Sequence, residues 1–315
     1  MSKAVNISRA STGTARRRGI ATADLYRPIR LILIFVIPAL LLYGVFFLFP
    51  MARAIYLSFC RGAASSTKFT FVGLENYTRL LRDENFHGAL MHNLAFLVIA
   101  GPITICLALL LAVGLTSIRS GRAFYRVSFL FPNVMPVVAT ALLWSFIFNP
   151  SFGLVNAILR KAGLDQFTHA WLGEPRYALL VLMLVHVWGA AGFYVMLFYA
   201  GILRIPADYT DAARIDGASA WQEFWHVTLP LLGDLLKTAI IYIIINSLNV
   251  FALVFLVTEG NPDRHVDVAL TYLYEQAFKN GNFGYACTIG VTQLALLLLL
   301  ATVVGRFFRR ETIEL

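Results

Sequence analysis

The sequence predicts an all-α, polytopic membrane protein with six transmembrane helices. Three observations carry that prediction. Of the 315 residues, 59% are hydrophobic and only 14% are charged, whereas soluble domains carry roughly a quarter charged residues. Six apolar runs, almost free of charge, approach the ~20 residues that a helix needs to cross a bilayer. None of them shows the short alternating segments of a membrane β-barrel.

Residues 1–28 are polar and basic, with Arg16, Arg17 and Arg18 in a row, and read as a cytoplasmic arm. A secretory leader is the rival reading, but the uncharged run Leu31–Ala52 is longer than the ~7–15 apolar residues of a leader core and is expected to span the membrane. The other spans are predicted near Leu90–Leu115, Val127–Phe148, Ala178–Leu203, Leu235–Val257 and Gly284–Phe307. Together they make a transmembrane domain over 29–307, with 308–315 as a tail. Pro102, Pro132 and Pro136 are expected to bend spans two and three, because proline removes a helix hydrogen bond. Between spans one and two, Leu74, Tyr77, Leu80 and Leu81 have helical spacing, and Phe152–Leu164 reads as a second short amphipathic piece.

An even number of spans puts both termini on one side. Lys and Arg are more numerous in the segments that face the cytoplasm if the N-terminus lies there, which the positive-inside rule favours. The net charge of +9 therefore reads as membrane-flanking charge, not as a nucleic-acid surface.

Signatures of catalysis are missing from the sequence. There is no GxxxxGK[ST] phosphate loop, no HExxH and no GxSxG, and Cys60, Cys106 and Cys287 have no metal-site spacing. The spans hold almost no acidic or basic groups of the kind that ion-driven carriers use. His186 is the one titratable residue deep in a span, and it suits plain packing. Any energy for transport must then come from another chain.

Span five is the most polar inside. Tyr242, Asn246, Ser247 and Asn249, with Gln293 in span six, make a candidate solute pathway, because amides bond hydroxyls and rings stack on sugar faces. The same groups also suit hydrogen bonds between helices, and both readings stand.

Arg204–Pro230 is the longest charged insert between two apolar spans. Pro206 suits a first helical turn, Gly217 permits a sharp backbone turn, and Ser219 with Gln222 has capping-box spacing. Pro230 is expected to end the second helix. Trp221, Phe224 and Trp225 fall on one side of that helix, an apolar face suited to a partner groove.

Within this insert, Asp211–Pro230 resembles the EAA loop of permease subunits in bacterial ABC importers. Asp211, Ala212 and Ala213 stand where that motif has E-A-A, followed at its spacing by Gly217, Val227, Leu229 and Pro230. Asp211 and Val227 replace Glu and Ile conservatively. Phe71–Tyr77, Trp171–Gly173 and Phe283–Val291 are similar to the sugar-type branch, which handles maltose, glycerol-3-phosphate and related solutes. The resemblance covers roughly residues 30–307.

It implies an inner-membrane permease subunit with a cytoplasmic coupling-helix loop, and no catalysis in this chain. Implied partners are a second permease subunit, two ATPase subunits carrying ATP and Mg²⁺, and an extracytoplasmic solute-binding protein. Coupling residues carried over on the motif and its helix face are Asp211, Ala212, Ala213, Gly217, Trp221, Phe224, Trp225, Leu229 and Pro230. A permease for a polyamine, phosphate or peptide is the alternative. Charged residues along the cavity would favour it, and the spans have almost none.

Overall fold

A computed structural model describes residues 26–63, 68–258 and 265–307. The tail and all but the last three residues of the arm lie outside these. The chain divides into two compact units, Met1–Arg53 and Ala54–Leu315. Five described helices are long and apolar enough to cross a membrane: Ile32–Ser58, Glu84–Ser117, Pro175–Ile202, Gly233–Val257 and Phe283–Phe307. A bent pair, Arg122–Val134 with Val137–Ile147, brings the number to six. They are called spans one to six in chain order, the bent pair being span three.

Span one is apolar on every side from Ile32 to Phe49. A helix with no polar face is stable in lipid, where it needs no apolar partner.

Span three is not the single rod that its hydropathy suggests. Its two halves meet at 95° across Met135 and Pro136. Met135 is extended, with ψ 136°, the conformation that a following proline favours. Pro132 is tolerated near the end of the first half.

Other prolines are absorbed differently. Phe49 N–H bonds to Gly44 O, Gly101 N–H to Phe96 O and Leu229 N–H to Phe224 O. Each is a widened π-type turn, and each is followed at once by a proline: Pro50, Pro102 and Pro230. Proline lacks the N–H that the carbonyl four residues earlier expects. One extra residue in the turn lets the helix continue past it. Pro230 therefore does not end its helix, which runs on to Leu231.

Spans two and four run side by side in the same direction. Phe96 and Ala100 pack with Ala178–Val187 at one end. Ala108, Ala112 and Leu115 pack with Tyr194, Val195 and Phe198 at the other. The first half of span three crosses span four where Gly192 sits: a Cβ there would lie 2.0 Å from Phe129 O. Only glycine allows that approach.

At the end where spans two and six begin, a two-stranded antiparallel ribbon pairs Cys60 with Phe71 and Arg61 with Thr70. The helix Glu75–Leu80 follows it. The apolar spacing expected here is only partly used. Leu80 is buried, while Leu74 and Leu81 are exposed. A buried amide does the fastening instead: Asn76 Nδ2 donates to Ser58 O and Cys60 O, both at 2.9 Å. The second short helix, Leu154–Lys161, is anchored likewise. Asn156 Oδ1 accepts from Trp171 Nε1 at 2.7 Å, and Asn156 Nδ2 donates to His169 O at 2.9 Å.

Candidate functional site

The insert between spans four and five folds as an elbow of two short helices. The first, Ala207–Ile215, starts after Pro206. It ends in a Schellman motif: Ala218 N–H bonds to Ala213 O at 2.9 Å and Gly217 N–H to Arg214 O at 3.1 Å. That closure needs a left-handed residue, and Gly217 supplies it with φ 79°. Two residues later the capping box forms. Gln222 Oε1 accepts from Ser219 N–H at 2.8 Å, and Ser219 Oγ accepts from Gln222 N–H at 3.4 Å. The helix Ala220–Glu223 then leads through the π-type turn Phe224–Thr228 to Leu231.

Arg214 fastens the two arms together. Its Nε lies 3.2 Å from Glu223 Oε2, and its Nη1 lies 3.8 Å from Asp211 Oδ1. Sequence reasoning missed this tie, because nothing local marks residues nine apart as partners. Both pairs sit near solvent, and each adds little stability.

The elbow turns apolar groups outward. Ile215 is 86% exposed, Trp221 69% and Trp225 47%. Trp221 and Trp225 pack edge to face at 5.5 Å, and Phe224 lies 5.5 Å from Trp225. Asp211, Ala212 and Pro230 are exposed, Ala213, Phe224 and Leu229 are half-buried, and Thr228 is buried. Trp221, Phe224 and Trp225 therefore cluster on one side of the second helix, and Ile215 of the first helix is exposed as well.

The polar residues of span five divide between two sides. Tyr242, Asn246 and Asn249 are exposed, and positions four and three apart make one stripe along a helix. Beside that stripe Asn246 Nδ2 donates to Tyr194 Oη at 3.3 Å, and the Tyr242 ring lies 5.5 Å from Phe193. Asn249 Nδ2 donates to Ile245 O of its own helix at 2.9 Å.

Ser247 and Gln293 lie inside, at a break in the span. Helical geometry stops at Leu248 and resumes at Ala252. Asn93 Nδ2 donates to Ser247 O at 2.8 Å, Asn93 Oδ1 accepts from Ala269 N–H at 2.9 Å, and Gln293 Nε2 donates to Leu248 O. In lipid a freed carbonyl must find a donor inside the protein, and two amides from spans two and six provide it. Asn93 was not foreseen. Its one signal is an amide within the second apolar run. Gln293 Oε1 is one of two buried side-chain polar atoms, with Trp144 Nε1, that have no hydrogen-bond partner among the described residues. His186, deep in span four, packs edge-on against Phe96 at 5.4 Å.

A bundle of helices long and apolar enough to cross a membrane, with a solvent-facing elbow between two of them, is the architecture of a membrane permease subunit. The chain belongs to the family of binding-protein-dependent transport system inner membrane components, whose model matches residues 104–311. It is 34% identical to the probable ABC transporter permease protein YurN of Bacillus subtilis (strain 168), over 88% of this chain and 95% of that one. It is 37% identical to the diacetylchitobiose uptake system permease protein NgcF of Streptomyces coelicolor, over 84% and 78% of the two chains. Identity to the trehalose/maltose transport system permease protein MalF of Thermococcus litoralis is 31%, over 90% and 96%. Among solved structures, a bacterial ABC transporter that imports the polysaccharide alginate shares the fold. The TM-score is 0.80 at 22% identity, covering 92% of this chain and 99% of that one.

Proposed function

We propose that this chain forms half of the translocation pathway of an ATP-driven importer for a sugar or sugar-like solute. The observation that carries the coupling role is the elbow. A rigid turn, closed by Gly217 and the Ser219–Gln222 box, holds Ile215, Trp221 and Trp225 in solvent. An apolar face displayed in that way is complementary to a groove on another protein. The partner fitting it is an ATPase subunit, which binds ATP and Mg²⁺. A second permease subunit completes the pathway, and an external binding protein delivers solute; the alginate transporter has been solved in complex with an alginate-pentasaccharide-bound periplasmic protein. Both termini and the elbow are then cytoplasmic. Support for the solute class comes from relatives named for diacetylchitobiose and trehalose/maltose. The exposed, uncharged stripe of Tyr242, Asn246 and Asn249 suits such solutes.

The test is uptake and ATP hydrolysis by the assembled transporter in proteoliposomes. Gly217→Val forces a β-branched residue into left-handed geometry, a strain of ~1–3 kcal/mol. It is expected to cut solute-stimulated hydrolysis and uptake at least several-fold, with the subunit still in the membrane. Asn246→Leu is expected to raise the KM for uptake several-fold and leave assembly intact. Rates for Gly217→Val equal to wild type would remove the coupling role. An unchanged KM for Asn246→Leu would remove the pathway stripe.

A further inference from the structure

Where spans two and four end and span three begins, a groove of ≈590 Å³ opens between the first half of span three and the end of span four. Its walls are apolar: Val127, Leu130, Met196 and Leu203. Its polar groups are Arg126 and Tyr199. The Arg126 guanidinium lies 5.7 Å from the centre of the Tyr199 ring, which is itself buried. Neighbouring Arg122 is committed to capping span two. It donates from Nε to Ile118 O at 2.9 Å and from Nη2 to Ile118 O at 2.7 Å. Among the described residues Arg126 pairs with no carboxylate.

This end of the bundle has the chemistry of a bilayer interface. Arg119, Arg122 and Arg126 precede an apolar stretch that begins at Val127, and basic residues flank spans in just that way. A cation at the mouth of an apolar groove asks for an amphiphile with an anionic head. Water cannot fill the apolar part favourably, and a zwitterionic lipid brings an ammonium along with its phosphate, so only an anionic headgroup supplies a net counter-charge to the guanidinium.

We propose that this groove is a binding site for an anionic phospholipid, with the phosphate on Arg126 and an acyl chain along Val127, Leu130 and Met196. The inference is independent of the solute class. Its position gives it a consequence for the elbow: Leu203, the last wall residue, directly precedes Arg204–Pro230. A lipid seated there stiffens the joint between span four and the elbow.

The experiment uses the full chain in its assembled transporter, in phosphatidylcholine nanodiscs. These hold a trace of phosphatidylglycerol or phosphatidylcholine with a photoactivatable acyl chain. Phosphatidylglycerol is expected to label peptides around 123–131 and 196–203 more strongly than phosphatidylcholine. Arg126→Gln should lower phosphatidylglycerol labelling roughly fivefold, the effect of one basic residue near a charged surface, and Arg126→Lys should restore it. Leu130→Trp, which fills the groove and keeps the charge, should lower labelling by both lipids. Equal labelling by the two lipids in the wild type overturns the proposal. So does a Val127→Cys variant that cross-links in high yield to another protein chain, because protein then covers the groove.

Discussion

Asp83 shows how much one side chain can fasten. Its Oδ1 accepts from Asn85 N–H at 3.0 Å and Phe86 N–H at 3.3 Å, which starts span two. Its Oδ2 accepts from Tyr272 Oη at 2.6 Å and Tyr285 Oη at 2.5 Å, joining the helix Ala269–Tyr274 and span six to that start. Burial opposes ionisation, but the two tyrosines and the two backbone donors outweigh it and hold the carboxyl below its ordinary 3.8. A lowered folded value means that the ionised group stabilises the fold above its ordinary value. That contribution is lost as pH falls through the folded one. Asp83→Ala removes a cap and two acceptors and is expected to cost about 1–3 kcal/mol, read as a lower Tm in detergent. Asp83→Asn should flatten the fall in Tm below about pH 4. Wild-type Tm values and slopes in both variants would dismiss the role. Asp83 could not be recognised from the sequence, because its partners lie 189 and 202 residues away. Gly217 and Ser219 were legible because their chemistry is local, a left-handed turn and a box three residues wide.

Among the elements, the spans announced themselves by hydropathy, and their interruptions did not. The break in span five, between Leu248 and Ala252, has no proline or glycine to mark it. It is maintained from outside, by Asn93 and Gln293. Asn93→Leu keeps the volume but strips Ser247 O and Ala269 N–H of their partner. The expected loss is about 1–3 kcal/mol, with faster amide exchange around residues 249–251. Unchanged Tm and exchange would mean that the break maintains itself. The prolines were visible in the sequence, but their effects were not separable there. Pro136 produces the 95° corner of span three, whereas Pro50, Pro102 and Pro230 each follow a π-type turn that keeps the helix going. The difference lies in the preceding residue. Met135 is extended, while Phe49, Gly101 and Leu229 remain helical.

For the whole molecule, sequence alone was enough for the all-helical membrane architecture, the six apolar spans and the position of the elbow, because each depends on composition or spacing within a short window. The polar fastenings between distant segments were not legible, since an isolated amide in an apolar run looks the same whether it faces a solute or a carbonyl. Tyr242, Asn246 and Asn249 ended on an open face, Ser247 and Gln293 on a closed one, although polarity within an apolar span had suggested all five. The closed face has a consequence for biogenesis. Leu248 O accepts from Asn93 Nδ2 of span two at 3.3 Å and from Gln293 Nε2 of span six, which leaves the ribosome after span five. Until the sixth span follows, that carbonyl has only the longer bond from span two in the hydrocarbon, so the fifth span can enter the bilayer early but reaches its full set of bonds later. A chain stopped before Phe283 is expected to hold its fifth span in a loose state that limited proteolysis detects. Full protection of that fragment would show that the order of emergence does not matter.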